Sequence, residues 1–503
     1  MVGPRRLLLT RRSFVKQAGV ALALAGCGAR GSSARSARPN VLFVSIDDLN
    51  DWAAPFGGYP GARTPNIDRL AARGVCFQRA YCVVPSCGGS RSSTLTGLSP
   101  LRTGWYAQEN ALRYPESWFR DRHLRLKTLP RAFREHGYRT LGGGKVFHAG
   151  FVRAGNGNAK DRRIDATAWS EPYHYLHFAD VRPNYGGAIG ATVSKMFGPR
   201  YDGDERRIPD RDLADWAVAQ LRVDKPGPFF LAVGFYRPHL AWYTPQRFFD
   251  FYPLESVRVP DHSVEAADLD DLPPYARLLL DRMGDQAAFD GNRELHAMAI
   301  RAYLACISFA DECLGRVLDA LDASPAREDT LVVLWSDHGW HLGEKLGWRK
   351  FKLWERATRV PLVLAGPGTQ RGAHCHSVAS LLDVYPTLAE LCLGKVPGFL
   401  DGTSFSKQLS DPTSPRETAA IMGWRLTSHP EVSFAVRKER WRYIRYPDGG
   451  EELYDVEADP AERTNLLHPS HGDPSRFADV RTRLARLLPK PSDTADRHGS
   501  GHP

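Results

Sequence analysis

Cysteine is scarce in this chain, eight in 503 residues, and no two of them form a CxxC pair. That excludes a disulfide-scaffolded miniature fold and the common zinc-finger spacings. No apolar run is long enough to span a bilayer as a mature helix, and no block repeats at a fixed period. Dense basic runs and RNA-binding signatures are also missing, so a net charge of +10 does not point to a nucleic-acid partner. A basic balance still suits other anions, acidic polysaccharide and acidic lipid among them. What is there is ordinary for a globular chain. Hydrophobic residues make up 42% and charged residues 25%, with length for one large domain and a smaller one.

The first residues read as an address. In "TRRSFVKQAGVALALAGCG", Arg11 and Arg12 stand ahead of Phe14 and Lys16, which resembles a twin-arginine export signal. The apolar run 18–25 is short for a membrane helix and ends in Leu24-Ala25-Gly26-Cys27. That ending resembles a bacterial lipoprotein cleavage box, which makes Cys27 the expected lipidation site. The expectation is a signal peptide over 1–26 and a polar tether over 27–38. Export then leads to the periplasm or cell envelope, with the lipid as the sole membrane association.

The rest alternates between apolar runs and helical periodicity. Runs 39–48, 228–236, 330–339 and 360–368 read as buried strands, and 210–221, 292–321 and 378–392 as helices. "TPNIDRLAARG" adds a helix with Ile67, Leu70 and Ala71 on one face. This alternation predicts an α/β catalytic domain over 39–400 with a mainly parallel sheet covered on both sides. After 400 the texture changes to short antiparallel strands at 433–447 and 452–456. A smaller C-terminal α+β subdomain is expected over 401–489, followed by a polar tail over 490–503.

Candidate ligands gather at strand ends. Asp47 and Asp48 close the first run, and Asp337 and His338 close another. Carboxylates grouped at the carboxyl ends of parallel strands repel one another unless a cation lies among them. A mostly oxygen donor set favours a hard ion such as calcium or magnesium. In "CVVPSCGGSRSSTLTG", residues 90–96 read as the start of a helix behind Gly88 and Gly89. A helix N-terminus welcomes an anion and lowers the pKa of a cysteine placed there. Arg91 offers a fork for a tetrahedral oxyanion.

These motifs together resemble the type I sulfatases, and the iduronate-2-sulfatase branch in particular, from about residue 39 to 468. The core motif C-x-P-S-R, followed by Thr-Gly, places Cys87, Ser90 and Arg91 against Thr96-Gly97. "IDDL" matches the first metal pair, "GGGKVFHAG" the stretch with Lys145 and His148, and "AVGFYRPH" the segment with His239. "SDHGWHLGEKLGWRK" matches the second metal pair and Lys350, and "ELYDVEADPAERTNLL" the C-terminal signature. The resemblance implies an alkaline-phosphatase-like fold, with a large mixed sheet sandwiched by helices and a small C-terminal antiparallel sheet. It implies one Ca2+ held by Asp47, Asp48, Cys87, Asp337 and His338. It further implies conversion of Cys87 to formylglycine by a formylglycine-generating machinery. The aldehyde hydrates, one hydroxyl attacks sulfur, and the other expels sulfate. Lys145, Lys350 and Arg91 would offset charge, His148 would hold or deprotonate the diol, and His239 would protonate the leaving alcohol. The expected substrate is a sulfated carbohydrate.

Two positions depart from the pattern. Gly89 replaces the motif proline, and Tyr236 replaces the first histidine of His-x-Pro-His. Proline fixes φ where glycine loosens it, so Gly89 bears on whether Cys87 is converted. Two rival readings stand beside the sulfatase. One is a phosphatase or phosphonate monoester hydrolase of the same superfamily. The other is a catalytically silent surface protein that binds sulfated glycans.

Overall fold

The run "NVLFVSI" carries β-branched and aromatic side chains that pack on both faces of a strand, and Asn40–Ile46 forms β1, buried throughout. Leu42, Val44 and Ile46 pack into one core and Val41 and Phe43 into the other. In this computed structural model the described residues are 1, 3, 38–107, 122–149, 151–152, 164–177, 203–223, 226–280, 284–426 and 431–489. Cys27, the signal and tether, and the tail 490–503 lie outside them. Met1–Ala37 and Arg38–Pro503 are separate units, and the strands and helices of the described residues belong to the second.

Six more strands join β1: β2 (Val75–Phe77), β3 (Arg139–Gly144), β4 (Phe229–Phe235), β5 (Thr330–Ser336), β6 (Leu362–Ala365) and β7 (Ala373–Cys375). Their order is β7-β2-β6-β5-β1-β4-β3. Strand β6 alone runs antiparallel; it pairs that way with both β5 and β2, whereas β7 is parallel to β2. The expected mixed, mainly parallel sheet is therefore present.

Helices cover both faces. On one lie α1 (Pro65–Ala71), α3 (Pro209–Arg222) and the 30-residue α4 (Arg293–Asp322). Asn292 caps α4, its side chain accepting from the Leu295 N–H at 3.0 Å. On the other lie α2 (Cys87–Thr96) and α5 (Val384–Leu393). The helix expected over 378–392 starts later than its periodicity suggests. Ser380 and Asp383 form a capping box, and residues 379–380 pair as a short strand with Ala80–Tyr81.

A second sheet holds β8 (Ala420–Arg425), β9 (Val432–Lys438), β10 (Trp441–Arg445) and β11 (Glu451–Asp455), antiparallel throughout. Strand β8 is absent from the sequence reading. Its inner side packs Met422 and Trp424 against Tyr81, Val83 and Trp354 of the catalytic part. The described cysteines are all buried and free, so no disulfide supports the fold among the described residues.

Candidate active site

Four adjacent parallel strands, β5, β1, β4 and β3, deliver their carboxyl ends to one pit. In register, Ile46 of β1 lies beside Ser336 of β5 and Phe235 of β4. The residues after them are therefore neighbours: Asp47 and Asp48, Asp337 and His338, Tyr236 to His239, and Lys145 to His148. Strand β3 can turn tightly because Gly144 adopts φ 75°, and a Cβ there would lie 2.1 Å from the Gly234 carbonyl oxygen.

Cys87 is the first residue of α2, behind an extended Ser86. Its Sγ lies 2.9 Å from Lys350 Nζ, 3.2 Å from His338 Nε2, and 3.7 Å from both Lys145 Nζ and Asp48 Oδ1. Burial alone would raise the thiol pKa, but Lys145, Lys350 and His338 hold it well below its ordinary value. Cys82, five residues earlier, has no such neighbours and burial pushes it far up. It is Cys87, the residue singled out by register, that these side chains surround.

The carboxylates are crowded. Arg91 Nη2 donates to Asp47 Oδ1 and Arg91 Nε to Asp337 Oδ2, both at 2.9 Å. Lys145 Nζ pairs with Asp47 Oδ2, and Lys350 Nζ donates to Asp48 Oδ1 at 2.7 Å. Burial opposes ionisation of Asp47, yet Lys145 and Arg91 hold it far below the usual carboxylate range. Burial pushes Asp337 the other way, up to about 7. Burial would lower His338, but the Asp337 carboxylate outweighs it and raises the imidazole to about 9. Protons are thus drawn in where a cation would relieve the repulsion.

The donor set can accept a metal ion. Ligand atoms of Asp48, Cys87, Asp337 and His338 lie within 4.8 Å of one another, and so do those of Asp47, Asp48, Cys87 and His239. Asp48 Oδ2 is buried without a hydrogen-bond partner, which a cation would supply. His338 Nδ1 is 2.9 Å from the Gly339 carbonyl oxygen, the arrangement that leaves Nε2 to ligate. Asp48 is held at φ 61°, its N–H donating to Asp337 Oδ1 and its carbonyl accepting from Tyr303 Oη at 2.7 Å.

The expectation for Arg91 needs correction. Its guanidinium is fully buried; Nε and Nη2 serve the two carboxylates, and Nη1 donates to Ser45 Oγ and to the Lys145 and Val146 carbonyls. It therefore spaces Asp47 from Asp337 rather than offering a free fork to an anion. The other expected residues converge. His148 lies beside the Cys87 side chain, and its Nδ1 is buried without a partner. His239 is about a quarter exposed, with Nε2 3.9 Å from Asp48 Oδ2 and Nδ1 2.8 Å from the Leu240 carbonyl. The Tyr236 ring centroid is 5.2 Å from Lys145 Nζ and 4.7 Å from the His239 ring.

Sequence reading missed the supports. Ser45 and Tyr303 look like ordinary residues in a strand and a helix. Asp210, near the start of α3, accepts from the Tyr236 and Arg237 N–H groups and so fixes the His239 segment. A buried acid in an amphipathic helix was the one available signal.

The sheet order, with the carboxylate-lined pit at its carboxyl edge, is that of the alkaline-phosphatase-like fold class. The structure of phosphonate monoester hydrolase of Agrobacterium radiobacter is similar in fold, with a TM-score of 0.69 at 23% identity, covering 92% of this chain and 96% of that one. The chain belongs to the sulfatase family, whose model matches residues 39–394; a model of the N-sulphoglucosamine sulphohydrolase C-terminal region matches 343–490. It is 36% identical over 472 residues to a sulfatase of Formosa agariphila, with 91% of this chain and 88% of the relative covered. It is 32% identical to iduronate 2-sulfatase of Mus musculus, with 76% and 73% covered. The protein is a sulfuric ester hydrolase.

Proposed function

We propose that this enzyme removes sulfate from a sulfated saccharide, in the manner of iduronate 2-sulfatases, through a formylglycine formed at Cys87 and a bound calcium ion. The observation that carries this reading is the setting of Cys87. It sits at a helix N-terminus with two lysine ammonium groups and two imidazoles directed at its side chain.

Asp47, Asp48, Asp337 and His338 would hold the calcium, which supplies charge neutralisation and polarises a sulfate oxygen when bound. A hydrated formylglycine at position 87 supplies an oxygen nucleophile of the kind a thiol cannot. The chain's own residues do the rest. Lys145 and Lys350 bind the anion and stabilise the charge that develops on it. His148 accepts or holds the proton of the group at position 87. His239, the more exposed imidazole, delivers a proton to the leaving oxygen. Arg91 bridges Asp47 and Asp337 and offsets part of their charge.

Conversion of Cys87 needs a formylglycine-generating partner, and the N-terminal signal fits twin-arginine export with Cys27 as lipid anchor. The test joins maturation to turnover. The tryptic peptide 80–91 from protein made with its maturation partner should show formylglycine. The same protein should release sulfate from an aryl sulfate and from a 2-sulfated uronate disaccharide. An unmodified thiol without turnover overturns the formylglycine reading. Faster cleavage of matched phosphate or phosphonate esters overturns the substrate class.

A further inference from the structure

Lys350 stands in a segment whose backbone is unusual. A hairpin pairs His341–Leu342 with Trp348–Arg349, and within 343–351 four non-glycine residues adopt positive φ: Lys345 54°, Leu346 48°, Arg349 65° and Phe351 77°. Two of them flank Lys350 directly. Such conformations are unfavourable for side-chain-bearing residues and persist where surrounding contacts over-determine them.

Those contacts lie on both sides of Lys350. On its carboxyl side, the Phe351 N–H donates to the Pro85 carbonyl at 3.1 Å, tying the segment to the residues that lead into Cys87. On its amino side, Arg349 makes a bidentate pair with Asp285, Nε to Oδ2 at 2.5 Å and Nη2 to Oδ1 at 2.8 Å. Asp285 is almost fully buried, and next to it Gln286 accepts from Trp348 Nε1 at 2.9 Å. A planar fork on a fixed carboxylate sets both distance and orientation, which a point charge does not.

We infer that Arg349 and Asp285 form a positioning pair that holds Lys350 against position 87 and the bound sulfate. The pair touches neither substrate nor metal; it acts through the backbone of its neighbour. Without it, Arg349 can relax out of the left-handed region and carry the Lys350 ammonium away from Cys87. The inference rests on the proposed anion-binding role of Lys350.

The experiment is a double-mutant cycle on the full, matured enzyme. Arg349→Ala and Asp285→Asn should each lower kcat/KM for an aryl sulfate about 10- to 100-fold, the scale of an ångström-sized displacement. Both should weaken inhibition by inorganic sulfate. Arg349→Lys should recover only part of the loss. In a Lys350→Ala background the same substitutions should change kcat/KM less than about 3-fold, because the group they position is gone. Asp285→Asn is nearly isosteric and guards against simple misfolding, which a thermal melt checks. Full additivity of Arg349 and Lys350 substitutions overturns the inference, as does undiminished sulfate inhibition in Asp285→Asn. If the unsubstituted enzyme turns over no sulfate ester, it is the proposed function that fails.

Discussion

Gly89 is one of the two positions where the sequence departs from the motif it resembles, and the folded chain gives a reason for glycine. Its N–H donates to the Ala107 carbonyl at 3.1 Å, and the same oxygen accepts from Ser86 Oγ at 2.7 Å. A Cβ at position 89 would lie 2.8 Å from that oxygen and 2.9 Å from Val84 Cγ1. The Trp105 and Ala107 carbonyls thus lie against the first turn of α2, where a proline would both collide and remove a donor. Gly89→Pro should cost about 2–4 kcal/mol in chemical denaturation, the sum of overpacking and one lost hydrogen bond. Gly89→Ala should cost about 1–3 kcal/mol. A free peptide spanning 82–97 has no Ala107 to meet, so Gly89→Pro there should leave conversion of Cys87 undiminished or improved. Conversion lost in the peptide, or stability unchanged in the protein, would contradict this account. Cys87 was legible because its register against Arg91 and Thr96-Gly97 is a one-dimensional fact. The role of Arg91 was not, because its partners Asp47, Asp337 and Ser45 meet it only after two strands, β1 and β5, assemble.

At the scale of elements, the strands that carry ligands were the easiest to read. Asn40–Ile46 and Thr330–Ser336 are continuous buried runs that end in their acids, and no competing pattern disguises them. Strand β8 was not legible: "AIMGWR" is short, contains a glycine, and alternates weakly. The start of α5 was misplaced because Ser380 and Asp383 impose a cap that periodicity does not register. The hairpin at 341–349 is the hardest case, since its conformation is unfavourable locally and is held from outside. That hairpin also carries a pH-dependent group. His341 is buried with Nδ1 3.2 Å from the Glu344 carbonyl and Nε2 without a partner. Burial, then the Lys352 charge, keeps its imidazole well below 6.5. The unfolded chain takes up a proton below pH 6.5 that the folded chain refuses. The stability from His341 is therefore full above pH 6.5 and falls as the pH drops below it, by up to about 1.4 kcal/mol per unit. His341→Gln removes that contribution, so its denaturation free energy should fall less steeply between pH 6.5 and 5 than that of the unsubstituted protein. Equal slopes would show that His341 takes up its proton in the folded state.

For the whole molecule, the boundary drawn near residue 400 falls within a single compact unit. Arg38–Pro503 is one compact unit, and the family model for the C-terminal region already begins at residue 343. The seam between the two sheets contains charge as well as apolar surface. Arg442 on β10 is fully buried, donating Nη2 to Glu355 Oε1 at 2.6 Å and standing 2.8 Å by Nε from Glu462 Oε1. Burial opposes ionisation of Glu355, but Arg442 and Arg437 hold it down at about 2. Burial dominates at Glu462 and pushes its carboxyl up to about 8, Arg442 notwithstanding. One arginine is thus shared by two carboxylates, and the one it serves less keeps its proton. Removing that arginine leaves Glu355 with Arg437, the Tyr81 hydroxyl and the more distant Arg359, largely buried beside a cleft. Arg442→Met should therefore destabilise by about 3 kcal/mol, the low end for a broken buried pair. Adding Glu355→Gln should recover part of that, because the uncompensated charge then disappears. The unsubstituted protein should unfold in a single cooperative transition followed by both far-UV and tryptophan signals, since Trp354 and Trp424 pack within the same seam. Two separated transitions, or a cost below about 1 kcal/mol for Arg442→Met, would mean that the two sheets stand independently and that the seam does not couple them.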